Sequence, residues 1–544
     1  MDITQRLELL NQLNHSNEAY KAAQQMGNAG AAALAATEYA QYMHILSGNP
    51  IPLSGDPLEI VKAVDRLSLE GRLQSQGITD PAVWRMLGLP SPEAPWLAPF
   101  KGAEAEPSPI VLDLDGDGIE TTVVDKEAYF DHEGDGFAES TGWVGADDGL
   151  LVWDRDGDGR INNGSELFGS NTSLANGQKA ANGFAALEEL DGNHDGKIDE
   201  ADAAFANLKV WRDMNGDGYS TASELFTLGQ VGVSTIYTGY VDSSFVDAQG
   251  NAHRQVGSFE WVNGLTGIAS DVWFKANSSL SYAVESVDVP LNIAELPDIR
   301  GYGMVYDLHQ AMARDTTGSL QALVQAFVVE QSVVRRNTLV EQIVFNWTGT
   351  TAVEESSRGE FIDAKKLAAL EQFVGRGFTG IGGSNPLSAA VPFLGLAFSD
   401  LAEYTYANLM AQTHLASLYR VVTYSWNETS QRLVPDFAPV ISTIEMEYGL
   451  NPDVAITLAV EFVRTAGALG FVLDDVDGLV SNFIELGSEY SSALGVFFDS
   501  LPGENMNGTP SADIFVGGFG GDYMNGGEGN DSLTGRAGRD VLIG

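Results

Sequence analysis

Residues 191–224 read DGNHDGKIDEADAAFANLKVWRDMNGDGYSTASE, and this stretch sets the terms for the rest of the chain. From Asp213 the residues Asp213, Asn215 and Asp217 place oxygen-bearing side chains at loop positions 1, 3 and 5. Gly218 follows at position 6, Tyr219 offers its carbonyl at 7, and Glu224 stands at 12. Alternate spacing in a tight turn converges these oxygens on one point, and the glycine permits the bend. That is the twelve-residue template of a calcium loop, which a hard divalent cation with six to eight oxygen ligands requires. The loop from Asp191 repeats it with Asn193, Asp195, Gly196, Lys197, Ile198, Asp199 and Asp202 at positions 3, 5, 6, 7, 8, 9 and 12. Its shorter terminal Asp202 is expected to coordinate through one oxygen and to bind more weakly. Residues 203–212 alone separate the two loops, so one short helix is expected to end the first and lead into the second, too compressed for a pair that opens onto a target groove.

Upstream, the motif recurs as DRDGDG at Asp154, DHEGDG at Asp131 and DLDGDG at Asp113. The first has Asp154, Asp156 and Asp158 at positions 1, 3 and 5, Gly159, Arg160 and Ile161 at 6, 7 and 8, but Ser165 at 12 and Glu166 one further on. Either the loop is expanded by one residue or Glu166 swings in. The Asp113 loop, with Asp115 and Asp117, and the Asp131 loop have Val124 and Gly142 at position 12. They read either as half-sites completed from elsewhere or as acidic turns.

Composition agrees with calcium. The 544 residues hold 75 acidic and 29 basic side chains, a formal charge of −46. Nucleic acid and anionic membrane surfaces are excluded as generic partners. Self-repulsion opposes compaction until a cation neutralises the loops. There is no cysteine, which rules out disulfides, thiol catalysis and Cys-ligated zinc. The N-terminus lacks the charged-then-apolar pattern of a cleavable leader. The apolar stretches near 388–398 and 454–473 are too short or are interrupted by Glu461 and Arg464, so no membrane-spanning helix is expected.

Periodicity divides the chain into a multidomain α+β protein. Residues 1–95 carry helical spacing with breaks at Gly48-Asn49-Pro50 and Gly55-Asp56-Pro57. Residues 96–109 form a Pro/Ala/Glu linker. The EF-hand-like calcium module fills 110–278, its later part alternating polar and apolar as short strands. Residues 279–502 read as an all-α domain of some eight helices. Motifs of the GxSxG, HExxH and Walker kinds are missing. His309 and His414 lie on helical faces, where structural roles are expected, and the stripe Leu320, Leu323, Val324 and Phe327 reads as core, with membrane insertion left open.

Residues 503–544 return to calcium by another design. From 508 the chain runs GTPSADIFV, GGFGGDYMN, GGEGNDSLT, GRAGRDVLI, a nine-residue period with Asp513, Asp522, Asp531 and Asp540 in fixed phase. Phe515, Met524, Leu533 and Leu542 recur two places after each Asp, as an interior row of a C-terminal parallel β-roll would require.

Two resemblances follow. The nonapeptides are similar to those of RTX (repeats-in-toxin) proteins, in which glycine carbonyls and one Asp per repeat hold calcium between turns. The runs SPIVLDLDGDGIETT, TGWVGADDGLLVWDRDGDGRINNGSELFGSNT and GFAALEELDGNHDGKIDEADAAFANLKVWRDMNGDG resemble the self-processing module of meningococcal-type RTX proteins. That resemblance implies a module folded by calcium that promotes cleavage of an Asp-Pro bond at its leading edge, the Asp side chain attacking its own carbonyl to form an anhydride. Here Pro109 is preceded by Ser108, so no catalytic residue is carried over and self-cleavage at this bond is expected to be absent. The pairs Asp80-Pro81 and Asp56-Pro57 lie upstream in other contexts. The RTX likeness implies a secreted or cell-surface protein exported by a type I secretion apparatus through a C-terminal signal not in this chain, which stops on Gly544 within the repeat pattern and is expected to be part of a longer protein. A non-enzymatic adhesin, surface or toxin-associated role is the leading expectation. A membrane-active cytolysin acting through the helical domain is the alternative, and self-processing is disfavoured by Ser108.

Overall fold

The computed structural model describes residues 107–124, 128–359, 361–380, 383–388, 390–427, 432–471, 473–498, 500, 505–508, 514–516, 521–527, 529–535 and 539–544. The expected N-terminal helices, residues 96–106 of the linker, both upstream Asp-Pro pairs and Asp513 lie outside these.

The first described region is built on strand β1 (Ile110–Leu112), which pairs antiparallel with β4 (Gly149–Val152) on one side and β11 (Thr266–Trp273) on the other. The sheet extends through β6 (Lys209–Trp211) and β7 (Leu225–Thr227) past β4. Beyond β11 it continues through β10 (Ala252–Trp261), β8 (Val233–Tyr237) and β5 (Lys197–Ile198), with β9 (Val241–Val246) also on β10. Near-continuous apolar runs such as IVL and GLLV suit central strands buried on both faces. Side chains alternate across such a strand. Ile110, Leu112, Leu151 and Val210 join a core with Phe168, Phe184 and Phe259, whereas Val111, Leu150, Val152 and Trp211 join a second with Phe130, Trp143 and Phe274. The Asp113, Asp154 and Asp213 loops follow β1, β4 and β6 of this sheet. A smaller sheet of β2 (Tyr129–Phe130), β3 (Phe137–Thr141) and β12 (Ala276–Ala283) leads to the helices. There Ser278 Oγ donates to Val374 O at 2.9 Å, and Phe137 lies 4.8 Å from Tyr306, ring to ring.

The expected helix over residues 203–212 is not formed. A 3-10 turn spans Phe205–Asn207, and Lys209–Trp211 is a strand because it pairs on both edges, with β4 and β7, and buries Val210 and Trp211 on opposite faces. The Asp213 loop is therefore held by strand–loop–strand, not helix–loop–helix. One short helix, α1 (Gly183–Glu188), precedes the Asp191 loop, capped by Asn182 Oδ1 on the Ala185 amide at 2.8 Å.

Residues 291–498 are largely helical: α2 (Leu291–Ala294), α3 (Leu308–Arg314), α4 (Ser319–Val329), α5 (Val333–Trp347), α6 (Ala364–Val374), α7 (Val391–Gln412), α8 (Ala416–Tyr419), α9 (Ala438–Tyr448), α10 (Pro452–Ala468), α11 (Leu473–Leu486) and α12 (Ser488–Phe498). The all-α expectation for 279–502 needs correction at two places: β12 runs on to Ala283 because it pairs with β3, and a hairpin interrupts the helices further on. Residues Thr423–Asn427 and Arg432–Asp436 form an antiparallel hairpin, β13–β14. Its first strand follows Val421-Val422, and the β-branched and aromatic run there favours extended backbone over continuation of α8. One apolar core serves the region and takes Leu320, Val324 and Phe327 fully inside, with Leu323 packed at its edge. His309 is pinned by Leu296 O at 2.8 Å, and His414 by Phe327 O at 3.0 Å.

At the C-terminus, β15 (Asn505–Asn507), β17 (Tyr523–Asn525) and β19 (Val541–Ile543) pair in parallel, as do β16 (Ile514–Val516) and β18 (Ser532–Thr534). Partners are two nonapeptides apart, an arrangement consistent with a β-roll. Met524 is fully buried, whereas Phe515 and Leu533 are half-buried and Leu542 is exposed.

Candidate metal centres

Each loop is closed on itself by its first aspartate. Asp213 accepts the amides of Gly216 and Gly218, both at 2.8 Å, and Asp154 those of Gly157 and Gly159 at 2.8 and 3.1 Å. Asp131 does the same with Gly134 and Gly136 at 2.7 and 2.8 Å, Asp191 accepts Gly196 at 2.8 Å, and Asp113 accepts Gly116 at 2.7 Å. Gly218 has φ 72°, and a Cβ there would lie 2.5 Å from Tyr129 O, so conformation and packing both demand glycine at that sixth position. His194, φ 59°, occupies the left-handed fourth position that glycine fills in the other four loops.

The closing acids follow a shared rule. Asp202 accepts the amide at position 2, Gly192, at 2.9 Å and the amide at position 9, Asp199, at 3.1 Å. Glu166 takes the equivalent pair, Arg155 at 3.0 Å and Asn162 at 2.8 Å. Glu166 therefore swings in, and Ser165 does not: a 3-10 turn over Gly164–Glu166, capped by Asn163, carries the chain one residue further before the carboxylate folds back. Glu224 accepts the position-9 amide of Thr221 at 2.9 Å.

The Asp113 and Asp131 loops, with Val124 and Gly142 at position 12, bring in acids that the local pattern did not single out. Asp148, fully buried, accepts the position-2 amide Leu114 at 3.1 Å and the position-8 amide Glu120 at 3.0 Å of the Asp113 loop. Glu139, at position 9 of the Asp131 loop and buried, accepts the position-2 amide His132 at 3.4 Å. Burial pushes Asp148 up to about 7. Burial, with the neighbouring Glu133 carboxylate, pushes Glu139 up to about 10. Buried carboxylates of this kind call for a cation, since desolvation penalises the charged form. A signal for Asp148 does exist in the chain: an acid directly before the apolar run GLLV, which a buried strand would carry inside.

Carboxylate oxygens of Asp113, Asp115 and Asp117 come within 4.8 Å of one another, as do those of Asp154, Asp156 and Asp158. Oxygen-only donors converging on one point, mostly at the surface, fit calcium and not a softer metal. The Asp154 and Asp213 loops stand back to back. Ile161 N donates to Ser220 Oγ at 2.6 Å, and Arg160 lies 4.9 Å over the Tyr219 ring, so the two position-7 residues meet at one shared seam. Trp143 Nε1 donates to Asp213 Oδ2 at 2.7 Å, tying that loop to the core. In the Asp191 loop the Lys197 ammonium bonds Asp199 and lies 3.7 Å from Asp195, an internal cation competing for two of the same carboxylates. Asn193 and Asn215 each donate to the position-5 acid, Asp195 and Asp217, at 3.2 and 2.8 Å. In the repeats, Asp522 is buried and its amide donates to Asp540 Oδ1 at 2.9 Å. A Cβ on Gly526 or Gly535 would collide with Asp531 or Asp540 at 2.4 and 2.3 Å.

Comparison with known proteins accounts for both designs. Residues 110–275 match the SPM domain and residues 507–543 match the RTX calcium-binding nonapeptide repeat in four copies. The chain thus carries an SPM domain and RTX repeats, and the repeats support calcium binding. It is similar to the iron-regulated protein FrpA of Neisseria meningitidis serogroup C, with 40% identity over 244 residues. That match takes in 44% of this chain and 22% of FrpA.

Proposed function

We propose that this is an exported protein whose sheet module and repeats fold when calcium is met outside the cell, and that it acts there in a non-enzymatic adhesin, surface or toxin-associated role. One observation carries the reading. Each of the five loops carries oxygen-bearing side chains at positions 1, 3 and 5, and each brings a further acid onto its position-2 or position-9 amide, including Asp148 from 34 residues away and Glu139 from position 9 of its own loop. Such a chain, at −46, is self-repelling in the calcium-poor cytosol and is compatible with export by a type I apparatus before folding. Extracellular modules bind calcium at about 10⁻⁴ to 10⁻³ M. Each occupied site then adds about 1.4 kcal/mol of stability per tenfold excess over Kd.

The ligands are proposed to be Asp113, Asp115, Asp117 with Asp148; Asp131, Glu133, Asp135 with Glu139; Asp154, Asp156, Asp158 with Glu166; Asp191, Asn193, Asp195 with Asp202; and Asp213, Asn215, Asp217 with Glu224. Calorimetry of the full chain, with circular dichroism, tests this. Calcium in the millimolar range should give heat of binding in more than one class of site and a gain of strand signal. Identical spectra in chelator and in calcium, with no heat, would refute it. The membrane-active reading gains no support: Leu320, Val324 and Phe327 are committed to the core, and among the described residues no helix is long and apolar enough to cross a membrane. With Ser108 before Pro109, the chain is proposed not to cleave itself at that bond.

A further inference from the structure

In a chain with 75 acids and 29 bases, one open cavity of about 340 Å³ carries two cations, Arg254 and Lys275, and is lined by no carboxylate among the described residues. It lies over a bulge in the β9–β10 pair. Phe245 pairs with His253 and Asp242 with Gln255, so Ser243 and Ser244 both stand opposite the single residue Arg254. On the other edge His253 pairs with Val272 and Gln255 with Asp271, so Arg254 is one residue too many for β11. A bulge re-aims the side chain it carries. Here the Arg254 guanidinium lies 4.2 Å over the Trp273 ring, and Trp273 Nε1 donates to Gln255 Oε1 at 3.2 Å. A guanidinium laid on an indole keeps its N–H edge in one plane, the fork that meets an oxyanion through two bonds.

Lys275 is placed by its backbone, whose amide donates to Asn251 Oδ1 at 3.0 Å and whose carbonyl accepts from Gly142 at 2.7 Å. Its stem passes the β9–β10 turn at Gly250, where a Cβ would lie 3.9 Å from Lys275 Cγ. Gly250 and Ala252 add little bulk to the lining, which leaves room for a ligand. The acids nearest in sequence are engaged elsewhere. Asp242 accepts Gln255 Nε2 at 3.3 Å, and Asp247 accepts the Thr121 hydroxyl and the Gln249 and Asn251 amides, the last two at 2.9 Å. At physiological ionic strength charges are screened beyond about 8 Å. An anion at the pocket therefore meets this local pair of cations and not the −46 of the whole chain. The rest of the lining suits a sugar: Ser243 and Ser244 bring hydroxyls, and Phe245, 59% exposed, brings an apolar ring.

We propose that this pocket binds an anionic sugar, Arg254 and Lys275 holding its carboxylate or sulfate while Ser243, Ser244 and Phe245 meet the ring. The site gives the adhesin-like role a ligand class, and in that respect it rests on that reading. The volume, at the low end of ligand pockets, suits one sugar unit of a longer chain. The cation pair supplies affinity and selects charged sugars, and the hydroxyls and the exposed ring separate a sugar from a free inorganic anion.

The test is calorimetric titration of the full chain in millimolar calcium with a uronic acid oligomer, a sulfated oligosaccharide, a neutral oligosaccharide and inorganic sulfate. At least one of the two acidic oligomers should bind, the neutral one should not, and sulfate should bind more weakly. Arg254→Gln and Lys275→Gln should each weaken the acidic sugar about tenfold. Arg335→Gln, which removes an exposed cation from α5, should leave it unchanged. Phe245→Ala should weaken the sugar and not the sulfate. Acidic sugars also take up calcium, so full affinity in the Arg254→Gln/Lys275→Gln double variant means that loop-bound calcium bridges the ligand, and overturns the site. Equal binding of the neutral oligosaccharide overturns it too, as does binding found only with vesicles of anionic lipid. Thermal unfolding checks each variant. Should Arg254→Gln fail to fold, Lys275→Gln decides, a tenfold loss upholding the site and no loss overturning it. Heat of calcium binding without sugar binding sinks the pocket and leaves the calcium reading standing. Sugar binding that needs both cations, with no heat from calcium, does the reverse.

Discussion

The sheet module and the helical region bury charge in opposite ways. In the helices, buried ions are matched within the chain. Glu461 lies 3.6 Å from Arg336 and 3.8 Å from Arg464, and the Tyr406 hydroxyl donates to it. Arg464 forks onto Glu403 at 2.6 and 2.8 Å and stacks 3.8 Å over the Tyr406 ring. In the module, Asp148 and Glu139 are as deeply buried yet face other carboxylates and backbone amides. The helical region pairs its buried carboxylate with guanidinium groups, and the sheet module surrounds Asp148 and Glu139 with amides and other carboxylates. The lesson is that stability without calcium should divide along the chain, although both regions have extensive apolar cores.

The largest effect should come from breaking the internal match. Glu461→Ala leaves two guanidinium groups short of a buried partner and should cost about 3–5 kcal/mol. The loss should be the same in calcium and in chelator, as chemical denaturation of the helical signal would measure. Next, Asp148→Asn should remove one class of calcium site from the calorimetric titration, lowering stability in calcium by about 1.4 kcal/mol per tenfold excess lost, while leaving stability in chelator unchanged or higher. That asymmetry is the signature of a carboxylate kept for a cation.

Acidity sharpens the same contrast. Burial raises the folded carboxyls of Asp148 and Asp271 to about 7 and that of Glu139 to about 10, above ordinary unfolded values near 4. Without calcium the folded module then holds more protons than the unfolded chain above pH ~4. Above about 6.5, where buried His132, pushed down to about 3, no longer opposes the trend, its stability should fall as pH rises through 7 and on towards 10. Calcium affinity should move the other way, weakening at acid pH, because the ligands must lose those protons. Thermal melts in chelator across this range would read the first trend. The smallest effect concerns His194→Gly. Relief of a left-handed backbone at the fourth position is partly offset by glycine's freedom in the unfolded chain, so the gain should stay within about 1 kcal/mol.

Much of the site was legible because calcium loops and nonapeptides are local patterns. Position-1 aspartates, sixth-position glycines and the nine-residue phase all act within a few residues of themselves. Glu166 was legible as one of two alternatives, and the 3-10 turn decided between them. Asp148 was not, because it reaches Leu114 across 34 residues and only the pairing of β1 with β4 brings it there. The strand at Lys209–Trp211 was read as a helix because three residues have no period, and its identity comes from neighbours on both edges. The hairpin at 423–436 hid behind the helical run that precedes it. Long-range pairing, not local preference, supplied what the sequence left open.

Hydrogen exchange of the full chain, in millimolar calcium and in chelator, tests the division most directly. Amides of residues 110–283 should be protected in calcium and exchange freely in chelator, while those of residues 319–347 and 452–468 keep their protection in both. Equal protection of the sheet module with calcium removed would contradict the account.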